Sequence, residues 1–211
     1  RTLRQAGRML TYNPSLYVRM SQAMAEVVPK LCVIPKGVSL GVEPLDLRGV
    51  LRIEPEAPLF FLPAGIRPVK NNLFAVDGLA SLRKEFPTIR LVFAGQILDR
   101  FYGMMFRQRI GSLPWIHHRE SLPHAAMLSA YRSADVVLNT SQSEGLSNAL
   151  MEAMWAGCAI LASDIPGNRD LLQDGKTALL YQKENFEKQA SRLLREGGLR
   201  ASLGSAARAY A

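Results

Sequence analysis

Apolar and polar positions alternate in blocks along this chain. Leu31-Cys32-Val33-Ile34, Leu59-Phe60-Phe61-Leu62, Ile89 to Gly95, Trp115-Ile116-His117, Asp135 to Leu138, Ala159 to Ala162 and Ala178 to Tyr181 are short apolar runs that read as strands. Between them the apolar residues recur at helical spacing. Residues 15–28 place Leu16, Met20, Ala23, Met24 and Val27 on one face, closed by Pro29, and residues 71–86 do the same with Leu73, Val76, Leu79, Leu82 and Phe86. Further helices are predicted over Phe101–Ile110, from Pro123 to Ser133, over a short stretch ending at Leu172, and over 184–196 and 199–210. Residues 1–13 read as a short helix or a tail, and residues 39–57, rich in Gly and Pro, as a surface excursion.

Strands alternating with helices predict an α/β fold, a Rossmann-like parallel sheet with helices on both faces. Ligands of such sheets bind beyond the carboxyl ends of the strands. The loops 63–70, 95–99, 139–147 and 163–168 would then share one edge.

Thr140 to Gly157 is the densest of these regions: a strand, a small polar loop with Gly145, and a helix that Gly157 can end in a left-handed cap. The backbone N–H groups of Gly145, Leu146 and Ser147 lie at the helix entry, where a phosphate or a sugar hydroxyl could be held. Glu144 can hold a diol, and Glu152, between Met151 and Ala153, calls for a partner if buried. By spacing alone both also fit an ordinary acidic helix start and a surface glutamate. Beside Gly65, Arg67 and Lys70 suit a diphosphate, or are two solvated cations.

Charge and composition narrow the classes. The 211 residues carry a net charge of +8, which favours anionic partners. Aromatic residues are not interleaved with the basic ones, which argues against a nucleic-acid stacking platform. No run reaches the ~18 apolar residues of a membrane span; a peripheral membrane contact is compatible with the charge. Cys32 and Cys158 are too few for a disulfide framework or a zinc site and read as buried thiols of a reducing, cytoplasmic compartment. His117, His118 and His124 lack metal-ligand spacing and read as structural or surface residues. Neither a Gly-x-Ser-x-Gly elbow nor a P-loop occurs. The first residue is Arg, which suggests a fragment.

The run from Ser143 to Asn168, with Glu144 and Glu152 as Glu-x7-Glu followed by Glu-Ala-x-x-x-Gly and a strand, resembles the signature of the family 4, or group 1, glycosyltransferases. Ile34-Pro35-Lys36-Gly37-Val38 is similar to the family's Ile-Pro-Asn-Gly-Val, and Asp174 to Leu180 to its Asp-Gly-x-x-Gly-x-Leu. The resemblance implies the C-terminal, donor-binding half of a GT-B glycosyltransferase. Its implied activity is transfer of a sugar, with retention, from a nucleotide diphospho-sugar to an acceptor that the sequence does not name, with no cofactor or metal. It implies that Glu144 touches the sugar and Glu152 the ribose. Gly145, Leu146 and Ser147 would serve sugar and diphosphate, and Gly65, Arg67 and Lys70 would lie at the leaving diphosphate. The family's Arg usually precedes its Lys by five positions, whereas Arg67 precedes Lys70 by three, so Lys70 is the closer match. The expected division is 1–30 as a helical remnant or linker, 31–196 as the nucleotide-sugar domain and 197–211 as a C-terminal helix. A non-catalytic nucleotide-sugar module, or a basic protein of nucleic-acid or membrane surfaces, are the alternatives.

Overall fold

The computed structural model describes residues 5–34 and 36–211. Arg1 and Arg4 of the basic start and Pro35 of the Ile34–Val38 run lie outside the described residues. The chain divides into two compact units, 1–38 and 39–211.

In the first unit, β1 (Met9–Thr11) pairs in parallel with β2 (Leu31–Val33). Helix α1 (Pro14–Ala23) connects them; Asn13 caps it by accepting from Leu16 N–H, and Pro14 opens it. The stretch expected to be a helix or a tail thus contains a strand, too short to show any periodicity. The predicted helix ends at Ala23, and a 3-10 turn over Ala25–Lys30 finishes the connection. The Leu31 run pairs with β1 and not with the strands that follow, and Cys32 is exposed, not buried.

The second unit holds six parallel strands: β3 (Leu59–Pro63), β4 (Arg90–Ala94), β5 (Ile116–Arg119), β6 (Val136–Asn139), β7 (Ile160–Ser163) and β8 (Leu179–Tyr181). Their spatial order is β5-β4-β3-β6-β7-β8. Side chains alternate between two cores. Leu59, Phe61, Val92, Val137 and Ile160 enter one, packing on α2 (Leu47–Leu51), α5 (Met127–Ser133) and α6 (Asn148–Ala156). Phe60, Leu62, Leu91, Phe93, Val136, Leu138 and Leu161 enter the other, under α3 (Asn72–Leu82), α4 (Arg100–Ile110) and α8 (Phe186–Arg195). Helix α7 (Pro166–Arg169) is one turn, and α9 (Gly197–Tyr210) closes the chain. This is the predicted sheet, covered on both faces.

Residues 39–57 are not a surface excursion. Leu40, Leu47, Leu51 and Ile53 are buried in the first core. Asp46 starts α2 by accepting from Gly49 N–H at 2.8 Å. Arg48 ties the segment to the sheet through an ion pair with Asp135 at 2.9 Å and bonds to the carbonyls of Ala57 and Ser133.

The strand order fixes where a ligand can enter. From β3 the chain builds outward to β4 and β5, then crosses back to add β6, β7 and β8 on the other side. The loops after β3 and β6 therefore diverge from neighbouring strands, the crevice at which doubly wound sheets bind their ligands.

Candidate active site at the strand crossover

Lys70 and Glu144 meet at that crevice. After β3, the segment Pro68–Lys70 makes a 3-10 turn, and Asn71 follows in the left-handed region at φ 50°. An asparagine tolerates that conformation, and the corner turns Lys70 inward. Its Nζ lies 2.6 Å from Glu144 Oε1, with the two side chains only 16% and 9% exposed. Two further bonds join the loops: Thr140 Oγ1 donates to the Lys70 carbonyl at 2.8 Å, and Gln142 N–H donates to the Val69 carbonyl at 2.9 Å.

Glu144 has more than one partner. Ser141 Oγ donates to the same Oε1 at 2.6 Å and Asn139 Nδ2 at 3.3 Å. Behind them, Asn168 Nδ2 donates to Asn139 Oδ1 at 3.1 Å and to the Ser163 carbonyl at 2.8 Å. Ser163 Oγ donates to the Ser141 carbonyl at 2.6 Å. The loop comes in close because position 167 is glycine: a Cβ there would sit 2.2 Å from the Glu144 carbonyl oxygen.

The other predicted residues take varied places. Gly65 lies between Ala64 and Ile66, whose N–H bonds to the Gln96 carbonyl at 2.8 Å, so the loops after β3 and β4 run together. Arg67 stands in the same loop as Lys70, but its side chain is exposed and has no ion pair among the described residues. Gly145 is exposed, Leu146 half-buried and Ser147 buried. Ser147 is the N-cap residue of α6 but makes no side-chain cap bond, so no side chain of its own covers that helix end. Gly157 ends α6 in the predicted left-handed conformation, at φ 77°. Glu152, one turn into α6, accepts from Tyr131 Oη at 2.8 Å and from no member of the Glu144 set. Burial and the neighbouring Glu152 carboxylate hold the Tyr131 phenol well above its ordinary pKa, so it stays a donor.

The sequence reading missed Asn139, Ser141, Ser163, Asn168, Gly167 and Tyr131. Small polar residues at the ends of two apolar strands were the available signal for the first three. A cavity of about 370 Å³ adjoins the loop, bordered by Phe74, Ser141, Gln142, Asp164 and Tyr181, but Lys70, Glu144 and Glu152 do not line it. Asp164 is held below the usual carboxylate range by its two bonds from Arg169. His118 Nε2 lies 2.9 Å from the Gly95 carbonyl and His124 Nε2 2.9 Å from the Ser39 carbonyl, both structural contacts. Among the described residues no cluster of His, Cys, Asp or Glu is placed to hold a metal ion, and no helix is long and apolar enough to cross a membrane.

Known proteins resemble this chain in sequence and in fold. The chain is 27% identical over 153 residues to a Xenopus tropicalis protein described as glycosyltransferase 1 domain-containing protein 1, covering 72% of this chain and 44% of that one. It is 24% identical over 218 residues to the D-inositol 3-phosphate glycosyltransferase of Segniliparus rotundus, covering 98% and 49%. The chain thus spans about half the length of the curated relatives it matches. Its fold superposes on the HepE protein of Anabaena, solved with UDP and glucose, with a TM-score of 0.83 at 18% identity, covering 97% of this chain and 58% of that one. Such solved neighbours are GT-B glycosyltransferases. The family model of the group 1 glycosyl transferases matches residues 46–210, most of the second unit and of the chain, and this protein belongs to that family.

Proposed function

We propose that the chain supplies the donor-binding half of a retaining glycosyltransferase, acting on a nucleotide diphospho-sugar without a metal ion. The observation that carries the reading is the meeting of Lys70 and Glu144 across the crevice, one cation and one carboxylate drawn from loops of a group 1 glycosyl transferase sheet. In this reading Lys70, with Arg67 swinging in from the rim, neutralises charge that grows on the departing diphosphate. The entry of α6, at Gly145, Leu146 and Ser147, adds N–H groups and the positive end of the helix dipole. Glu144 accepts from a sugar hydroxyl, and Glu152, steadied by Tyr131, accepts from the ribose diol. Gly65, which packs against Leu98, contributes backbone to the same diphosphate loop. These tasks need cations and amides in a dry crevice, which is why no metal is invoked. The cytoplasm, where nucleotide-sugars are made, is the proposed compartment.

HepE was solved with UDP-glucose, which makes that compound the first probe of a panel that also holds UDP-N-acetylglucosamine, ADP-glucose and GDP-mannose. In a thermal-shift and calorimetric screen, one of the four is expected to raise the melting temperature. Lys70→Ala and Glu152→Ala are each expected to weaken that binding by about 1–3 kcal/mol, the cost of a lost charged hydrogen bond. Wild-type affinity in both variants, or no binding by the wild-type chain, would sink the reading.

A further inference from the structure

Three donors converge on one oxygen of Glu144. Lys70 Nζ, Ser141 Oγ and Asn139 Nδ2 all reach Oε1, and among the described residues nothing reaches Oε2. A carboxylate offers lone pairs on both oxygens, so this one is saturated on one side and open on the other. The side chain is only 9% exposed, yet Oε2 is not among the buried polar atoms that lack a partner, so it is the oxygen that solvent, or a ligand in its place, can reach.

Lys70 cannot be the lasting anchor if it also serves a diphosphate. An ammonium drawn toward two phosphates loosens its hold on the carboxylate, and a glutamate held only by Lys70 would be released as the donor arrives. Ser141 and Asn139 are not subject to that competition. Ser141 is 2% exposed, and Asn139 Oδ1 accepts its N–H at 3.1 Å. Ser163 fixes its carbonyl, and the fully buried Asn168 fixes Asn139. The side-chain bonds of this network run to β6, β7 and α7 and none of them uses the Lys70 ammonium.

We propose that Ser141, backed by Asn139 and Asn168, is a positioning residue that holds Glu144 Oε1 so that Oε2 stays directed at the donor sugar while Lys70 exchanges Glu144 for the diphosphate. The inference rests on the donor-binding reading and adds to it the part that survives the exchange. Ser141 itself touches no substrate; it acts through Glu144.

The test separates sugar contacts from nucleotide contacts. For whichever panel donor binds, calorimetry gives the affinity of the nucleotide-sugar and of the matching nucleoside diphosphate, and their ratio reports on the sugar. Ser141→Ala is expected to lower that ratio about tenfold, and Glu144→Gln at least as much. The double variant is expected to fall no further than Glu144→Gln alone, because the serine has then lost the charge it positions. Should Ser141→Ala fail to fold, Ser141→Cys, close in size and a weaker donor, is expected to lower the ratio by about threefold. A ratio equal to that of the wild type, or single losses that simply add in the double variant, overturns the proposal. So does a Ser141→Ala chain in which both affinities fall together with the melting temperature, since that assigns the serine to loop stability. A wild-type chain that binds no panel member overturns the donor-binding reading first, and the positioning role with it.

Discussion

Cys158 shows how burial sets chemistry at a single residue. Enclosed against Tyr131, whose carbonyl lies 3.4 Å from its Sγ, the thiol is pushed up to about 12 by desolvation. The thiolate is the reactive form, so Cys158 is inert near neutrality, whereas Cys32 is open to solvent. One equivalent of a thiol reagent is expected to react quickly with the native chain and the second only after denaturation; rapid labelling of both thiols would contradict the fold around Tyr131. The same shift gives a pH dependence. With an unfolded value near 9.0 and a folded value near 12, the group's contribution is intact below pH 9 and declines as pH rises toward 12, because only the unfolded chain releases the proton. The loss is about 1.4 kcal/mol per pH unit in that window. Melting curves between pH 8 and 11 are expected to show a shallower fall for Cys158→Ala. At this scale the sequence was legible where a residue's role was local to a motif. Glu144 and Lys70 could be named from spacing and resemblance, whereas Ser141, Asn139 and Asn168 depend on side-chain bonds between loops that no local pattern records.

Among the elements, the single turn of α7 has an influence beyond its length. It brings Gly167 against the Glu144 backbone and seats Asn168 beneath the loop. Gly167→Ala would force a methyl into a carbonyl oxygen that cannot retreat without disturbing the Ser141 and Asn139 bonds. We expect a loss of roughly 1–3 kcal/mol in stability, read from urea unfolding, together with weakened donor binding. A Gly167→Ala chain with wild-type stability would show that the approach is looser than the structure has it. The six strands of the sheet were visible as apolar runs because strands buried on both faces carry apolar residues without interruption. The segment 39–57 was misread for a complementary reason. Its helix has five residues, and Leu47 and Leu51 are the only core pair it offers, set among glycines and prolines that signal a loop. Asp46, placed to cap Gly49, was the one local cue. Met9–Thr11 offered none, since three residues carry no period and the strand exists through its pairing with Leu31–Val33.

For the whole second unit, the central place of β3 matters most. It is the earliest of the six strands in the chain, yet it pairs with β4 on one side and β6 on the other. Two wings therefore hang from it, one built from residues before the crossover and one from residues after it, and the Lys70–Glu144 contact spans 74 positions of sequence. That contact works as a clasp between the wings. A molecule gripped there adds its binding energy to any motion that parts β3 from β6, however far the parting strands lie from the molecule itself. Amide exchange is therefore expected to slow in β4 and β7 along with the crevice loops when a donor binds, and protection confined to the loops would show that the wings open independently of the clasp. In the proposed reading, a donor held at this crossover becomes a structural member of the sheet, coupling the occupancy of one crevice to the cohesion of both halves.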